Sequence, residues 1–227
     1  MNGLYRRLRS VLLKGHHYYV KNCLEKFKDS IIVDVGCGIN TALACLGAEG
    51  YKIGIDVYVP YIRKAKHLRL YEEYICADAR YLPLKAKSVD IVVSMEVIEH
   101  LTAKEGLHFL EDLDRIARKA SIITTPNGYM PQSIFDRNPH QEHRSGWVAA
   151  DFHKYGYKVV GCAGLKFIRH TPLKIARDNV RMENPRNLAF KFLNAVFFLI
   201  ADFSEALLHM NANLSEHLVC IKQFNSN

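Results

Sequence analysis

Several simple assignments fail for want of residues. The 227-residue chain has six cysteines (Cys23, Cys37, Cys45, Cys76, Cys162, Cys220), but no two form a C-x-x-C pair. Most lie in apolar runs, where a free thiol behaves as a small hydrophobe, a pattern that suits a reducing cytosol and no structural zinc. Long hydrophobic runs are also missing. The longest uncharged apolar stretch, FLNAVFFLIA at 192–201, falls well short of the roughly 20 residues a membrane span needs. Near the start, Val11-Leu12-Leu13 is too short for the apolar region of a signal peptide. Internal repeats, low-complexity tracts and a linker are absent, so a single domain is expected.

Acidic residues are scarce in two places. Within 1–28, Arg6, Arg7, Arg9, Lys14, Lys21, Lys26 and Lys28 face Glu25 alone. Within 166–191, Lys166, Arg169, Lys174, Arg177, Arg181, Arg186 and Lys191 face only Asp178 and Glu183. These segments dominate a net charge of +8. They are either solvated helix faces or patches for an anionic partner, whether phosphate, nucleic acid or a lipid surface. In the first segment Leu4, Tyr5, Leu8, Val11 and Leu12 recur at near-helical spacing, which makes a basic helical arm suited to an anionic membrane surface.

What is present is rhythm. Apolar runs at 30–36, 51–56, 72–78, 88–95 and 120–126 are continuous rather than alternating, as in strands covered on both faces. Helical patterns near 40–49, 60–70 and 103–118 separate them, the last opened by Thr102 with Glu105 three positions on, a capping box. This predicts a Rossmann-like, doubly wound α/β fold, with helices on both faces of a mostly parallel sheet. After a cofactor-binding core at 30–125 comes a 22-residue loop at 126–147 with three of the seven prolines, a length that points to function. A helix at 148–155, strands at 157–168 and 216–224, and a helix near 187–210 would complete seven strands within 148–227.

The first strand ends in VDVGCG (33–38), so Gly36 and Gly38 can bend the backbone close to a ligand. The third glycine of a dinucleotide turn is missing, since position 41 is Thr41. Acids close the next two strands. Asp56 can accept the hydroxyl protons of a ribose, and Asp78 can accept from an exocyclic amine. Together these describe a pocket for an adenosine.

In these residues the chain resembles the class I S-adenosylmethionine-dependent methyltransferases, with VDVGCG, GIDV (54–57), ADA (77–79) and DIVVSMEVIEHL (90–101) in family order. The resemblance implies S-adenosylmethionine as cofactor and a last strand that is antiparallel. It implies that Asp34, Gly36, Cys37 and Gly38 form the turn against the methionine part. Asp56 and Val57 would then hold the ribose, Asp78 and Ala79 would face the adenine, and Met95 and Glu96 would line the pocket. Asn40, where the family commonly has a glycine, tolerates a left-handed backbone. A cofactor without pyrophosphate does not require the third glycine.

Two histidines are base candidates for the acceptor. His100 ends EVIEH beside the expected cofactor, and His143 lies on the 126–147 loop, which should cover the methyl end. No metal is expected, because His140 and His143 form an H-x-x-H pair without a nearby cysteine. The stretch after the fourth strand reads SMEV, without the Pro-Pro-aromatic motif common in methylators of nucleobase amines. The MEVIEHL form resembles the branch acting on small molecules. The expected acceptor is an oxygen or nitrogen of a small or membrane-linked molecule (glycan, quinone or lipid). RNA, or a role as a cofactor-binding module without catalysis, is the alternative. The expected location is the cytoplasm, with peripheral contact at an anionic inner membrane surface.

Overall fold

The structure, a computed structural model, describes residues 15–39, 43, 46–134, 136–165 and 211–224. The sequence-predicted helices at 187–210 and, for most of its length, 40–49 lie outside these residues, as do the apolar stripe of the N-terminal arm, Asn40 and the basic segment 166–191.

The elements run α1 (His16–Leu24), β1 (Ser30–Val35), β2 (Gly50–Asp56), α2 (Val59–His67), β3 (Glu73–Cys76), β4 (Val89–Met95), α3 (Ala103–Ile116), β5 (Ala117–Pro126), α4 (Ala149–Lys154), β6 (Lys158–Leu165) and β7 (Ser215–Gln223). One seven-stranded sheet forms in the order β3-β2-β1-β4-β5-β7-β6. The first five strands pair in parallel. β7 is antiparallel to both β5 and β6 and lies between them. The expected mixed sheet with its antiparallel last strand is therefore observed.

The continuous apolar runs have a physical outcome. Ile32, Val33, Ile91, Val92, Val93, Ile122 and Ile123 are all fully buried, because side chains on both faces of the central strands meet a cover. Two apolar clusters result, one on each face. Phe109, Leu110, Leu113 and Ile116 of α3 fill the first, and Val20, Cys23 and Leu24 of α1 join the second. The Thr102 hydroxyl accepts from the Glu105 amide while the Glu105 carboxylate accepts from the Thr102 amide, so the capping box forms as read. β5 begins three residues earlier than its apolar core, at Ala117, past a register shift opposite Val89–Ile91.

The 126–147 loop is ordered by its neck. Asn127 bridges Trp147, and the Asn127 Nδ2 donates to the carbonyls of Ala212, Asn213 and Ser215. Trp147 is buried against α3, its Nε1 donating to Ser145 Oγ at 2.8 Å. It packs where a Cβ on Gly106 would stand 2.2 Å from its Cζ2, so only glycine admits the ring.

Candidate functional site

The carboxyl ends of β1, β2 and β4 meet at one rim, because β1 lies between the other two in parallel register. That is the edge where open α/β sheets bind ligands. At its centre, Gly36 (φ +77°) and Gly38 (φ +55°) take left-handed conformations that L side chains avoid. A Cβ on Gly36 would lie 2.2 Å from Val97 Cγ2, whereas one on Gly38 would meet nothing within 4 Å among the described residues. The turn is thus packed behind and open in front. Its backbone is pinned to β2, with the Gly36 and Cys37 amides donating to the Ile55 carbonyl at 2.8 and 2.9 Å.

Asp56 forms the next wall. One carboxylate oxygen accepts from the Gly38 amide (2.9 Å) and the other from the Tyr58 amide (2.8 Å). Each oxygen keeps a second lone pair. Burial raises the Asp56 pKa, although these amides and His140 oppose the shift. The side chains of the other sequence-predicted residues diverge. Asp34 turns inward to the Tyr71 hydroxyl at 2.6 Å and is 4% exposed. Cys37 is buried, its thiol pushed well above the usual range by burial. The Val57 carbonyl accepts from the Cys76 thiol at 3.8 Å. Asp78 is gripped by Arg80, whose Nε lies 3.0 Å from both carboxylate oxygens. Hydrogen bonding to Arg80 holds Asp78 below its ordinary value. Arg80 also reaches Glu105 at 3.0 Å. Ala79 follows, between the two members of this pair.

After Met95 at the end of β4, Glu96 takes a left-handed φ of +57°, a strained geometry for a side chain of its size. Its Oε1 accepts from the Thr124 hydroxyl at 2.8 Å, and His217 Nε2 lies 3.4 Å from Oε2. Burial alone would raise the Glu96 pKa, but His217 and His16 bring it below the usual value.

The turn Ile98–His100 carries the densest chemistry. Glu99 is buried, with Oε2 accepting from the Thr125 hydroxyl at 3.1 Å and Oε1 without a hydrogen-bond partner among the described residues. Burial, reinforced by Glu96, lifts its pKa well above the carboxylate range. His100 Nδ1 lies 3.1 Å from the Glu142 carbonyl, and His143 Nδ1 lies 2.6 Å from that of Met130. A neutral imidazole that donates from Nδ1 to a carbonyl leaves the Nε2 lone pair free. The two rings stand edge to face at 4.7 Å. The Glu99 carbonyl accepts the amides of Arg144 and Ser145, which draws the loop onto this turn. Glu99, His100 and His143 each bring one ligand atom within 4.8 Å of the others, a set able to hold a divalent cation.

The two base candidates therefore meet at the turn after β4, and the structure adds Glu99, which sequence reading passes over. The loop also crosses to the β2 side, where the Tyr61 hydroxyl donates to Asp136 (3.2 Å) and the Tyr58 hydroxyl to the Arg137 carbonyl (3.4 Å). Those tyrosines follow Asp56 in sequence, but nothing local to them signals a partner nearly eighty residues away.

Comparison with known proteins shows what this segment is similar to. Residues 33–130 match the methyltransferase domain model. Among curated proteins, the chain is 31% identical over 126 residues to a ubiquinone biosynthesis O-methyltransferase of Rhodopseudomonas palustris, covering 52% of this chain and 43% of that one. It is 26% identical over 152 residues to an uncharacterized protein of Methanocaldococcus jannaschii, covering 64% of each. The chain thus spans less than two thirds of either relative. Among solved structures, a methyltransferase from Archaeoglobus fulgidus aligns over 97% of this chain and all of its own, with TM-score 0.53 at 17% identity. The small RNA methyltransferase HEN1 aligns over 93% of this chain and 25% of its own, with TM-score 0.58 at 16% identity. The sheet order and the glycine turn after β1 agree with the matched segment: residues 33–130 are similar to a methyltransferase domain, and the chain shares the fold of S-adenosylmethionine-dependent methyltransferases.

Proposed function

We propose that this chain transfers a methyl group from S-adenosylmethionine to an oxygen or nitrogen of a small or membrane-linked acceptor such as a glycan, quinone or lipid. The observation that carries this reading is the rim itself. It joins a glycine turn open in front, a buried carboxylate with spare lone pairs, and a Glu-His-His group, its His100 half-buried, under a loop.

The residues suit the cofactor by their donor set. The open face of Gly38 leaves room for a chain to lie on the turn, and Asp56 has the acceptors that two ribose hydroxyls require. When bound, S-adenosylmethionine supplies an electrophilic methyl on a sulfonium. The protein's share is alignment, which can contribute ~7–11 kcal/mol, and disposal of the acceptor proton. With the cofactor bound, His143 or His100 would take that proton at Nε2, since each ring directs Nδ1 to a backbone carbonyl. Burial lowers the pKa of His100, which favours the neutral ring that can accept a proton. The 126–147 loop, drawn over the rim by Glu99 and by Tyr58 and Tyr61, serves to keep water out.

RNA as the acceptor is favoured by one observation, the seven cations set against one acid in residues 1–28.

The test is cofactor binding followed by turnover. S-adenosylhomocysteine at about a hundred times its Kd should add ~2.7 kcal/mol of stability and raise Tm, and NAD should not. Asp56→Ala should fold and lose that rise. Unchanged affinity in Asp56→Ala would remove the ribose assignment. His143→Ala should lower turnover on a methyl acceptor more than it lowers S-adenosylhomocysteine affinity. An equal loss in both would remove His143 from the proton path.

A further inference from the structure

A second group of titratable side chains stands beside the rim, and of its members the methyl-transfer reading uses only Glu96, as a residue lining the cofactor pocket. His16 opens α1, Glu96 follows β4, and His217 lies near the start of β7. Three elements far apart in sequence thus bring two imidazoles and a carboxylate together, each offering one ligand atom within 4.8 Å of the others. The rings of His16 and His217 stack at 5.4 Å with 26° between their planes.

Three further observations point to a ligand. Among the described residues the Nδ1 atom of His16 is buried without a hydrogen-bond partner, although buried ring nitrogens ordinarily find one, and His217 presents Nε2 to Glu96. Glu96 holds a left-handed φ that aims its carboxylate at this group, and its Oε1 is anchored by Thr124, which leaves Oε2 directed to His217. The His217 backbone is itself fixed, because its carbonyl accepts from the hydroxyl of Ser215 (2.8 Å) and from the thiol of Cys162 (3.7 Å). Hydrogen bonds one step out from the ligand atoms are what orient metal-binding side chains. The neighbouring His17 ring, 4.2 Å from that of His16, stands exposed at the outer side.

We propose that His16, Glu96 and His217 form a binding site for a divalent transition-metal ion, distinct from the Glu99, His100 and His143 group across the same turn. Two imidazoles with one carboxylate suit Zn2+, Mn2+, Fe2+ or Co2+ rather than Mg2+ or Ca2+, which prefer all-oxygen shells. An ion there would link His16, the first residue of α1, to the turn after β4 and to β7. Three protein ligands leave further positions open to water.

The experiment uses the full chain, stripped by chelator and titrated with Co2+, whose visible absorption reports ligand number and geometry. His16→Ala and His217→Ala should each abolish one equivalent, or weaken it at least tenfold, and that equivalent should persist in His143→Ala. Apparent Tm should rise with Co2+ in the parent chain and lose that component of the rise in His16→Ala. Binding unchanged in both His16→Ala and His217→Ala overturns the proposal, as does Co2+ binding that only His143→Ala removes. His16 lies at a helix end, so its variant carries the test if the strand substitution at His217 harms folding. S-adenosylhomocysteine affinity, measured on the same metal-free samples, reports separately on the cofactor site.

Discussion

Asp34 shows how a single residue can belong to a motif without facing its ligand. Its carboxyl is buried beneath the glycine turn against the Tyr71 hydroxyl, and burial pushes its pKa from 3.8 up to about 7, with Tyr71 opposing and Asp56 adding to the rise. A carboxyl whose pKa rises on folding binds more protons folded than unfolded between those two values. Stability from this group is therefore greatest below pH 4 and falls as pH climbs toward 7, by roughly 1.4 kcal/mol for each pH unit crossed. Asp34→Asn keeps an acceptor for Tyr71 without the charge. It should gain stability over the parent chain in urea titrations at pH 8 and show little advantage at pH 4. A constant difference across that range would mean that Asp34 is not held in this state. In sequence, Asp34 is legible only as part of VDVGCG, because alternation along a strand says which face a side chain takes but not that Tyr71, 37 positions on, will meet it. The same limit hides Glu99 and His217. Each works through partners brought up by the sheet, whereas Gly36, Gly38 and Asp56 are read from neighbours in the chain.

At the scale of elements, the parts set by local chemistry are readable. The strands follow apolar runs, and α3 starts where Thr102 and Glu105 say it should. The insertion of β7 between β5 and β6 is not, since both neighbours are antiparallel to it and its apolar pattern fits an edge as well as an interior position. The loop's anchorage on α3 is also hidden, being a notch at Gly106 that only the folded helix presents. Gly106→Ala would put a methyl 2.2 Å from the Trp147 ring. Helix propensity favours alanine by up to about 1 kcal/mol, but overpacking typically costs about 1–3 kcal/mol, so a net loss of stability is expected. Trp147 is the sole tryptophan, so its emission should move to the red as the ring leaves its buried site. An unchanged spectrum with a higher Tm would show that the ring does not depend on the notch. Thr102→Ala, which removes the cap of the same helix, should cost about 1 kcal/mol without moving that emission.

For the whole molecule, charge is the property that fold leaves open. Among the described residues no helix is long and apolar enough to cross a membrane. The basic arm at 1–28 keeps its two readings, a stripe packed on the domain or a helix lying on an anionic surface. Near such a surface each cation contributes about 1 kcal/mol, and Debye screening weakens that as salt rises. The surface reading predicts co-flotation with phosphatidylserine vesicles at low salt and release at high salt. Protein that stays at the bottom of the gradient at low salt would leave the packed stripe.

The placement of β7 also sets an order of assembly on the ribosome. β1 to β5 can pair as each emerges, but β6 must wait, since its sheet partner is made more than fifty residues later. Until Ser215–Gln223 slides in, the nascent sheet ends at an open β5 edge, a template for unwanted pairing. His217 arrives on that late strand, so Glu96 gains this partner only when the translating chain has closed its own seam.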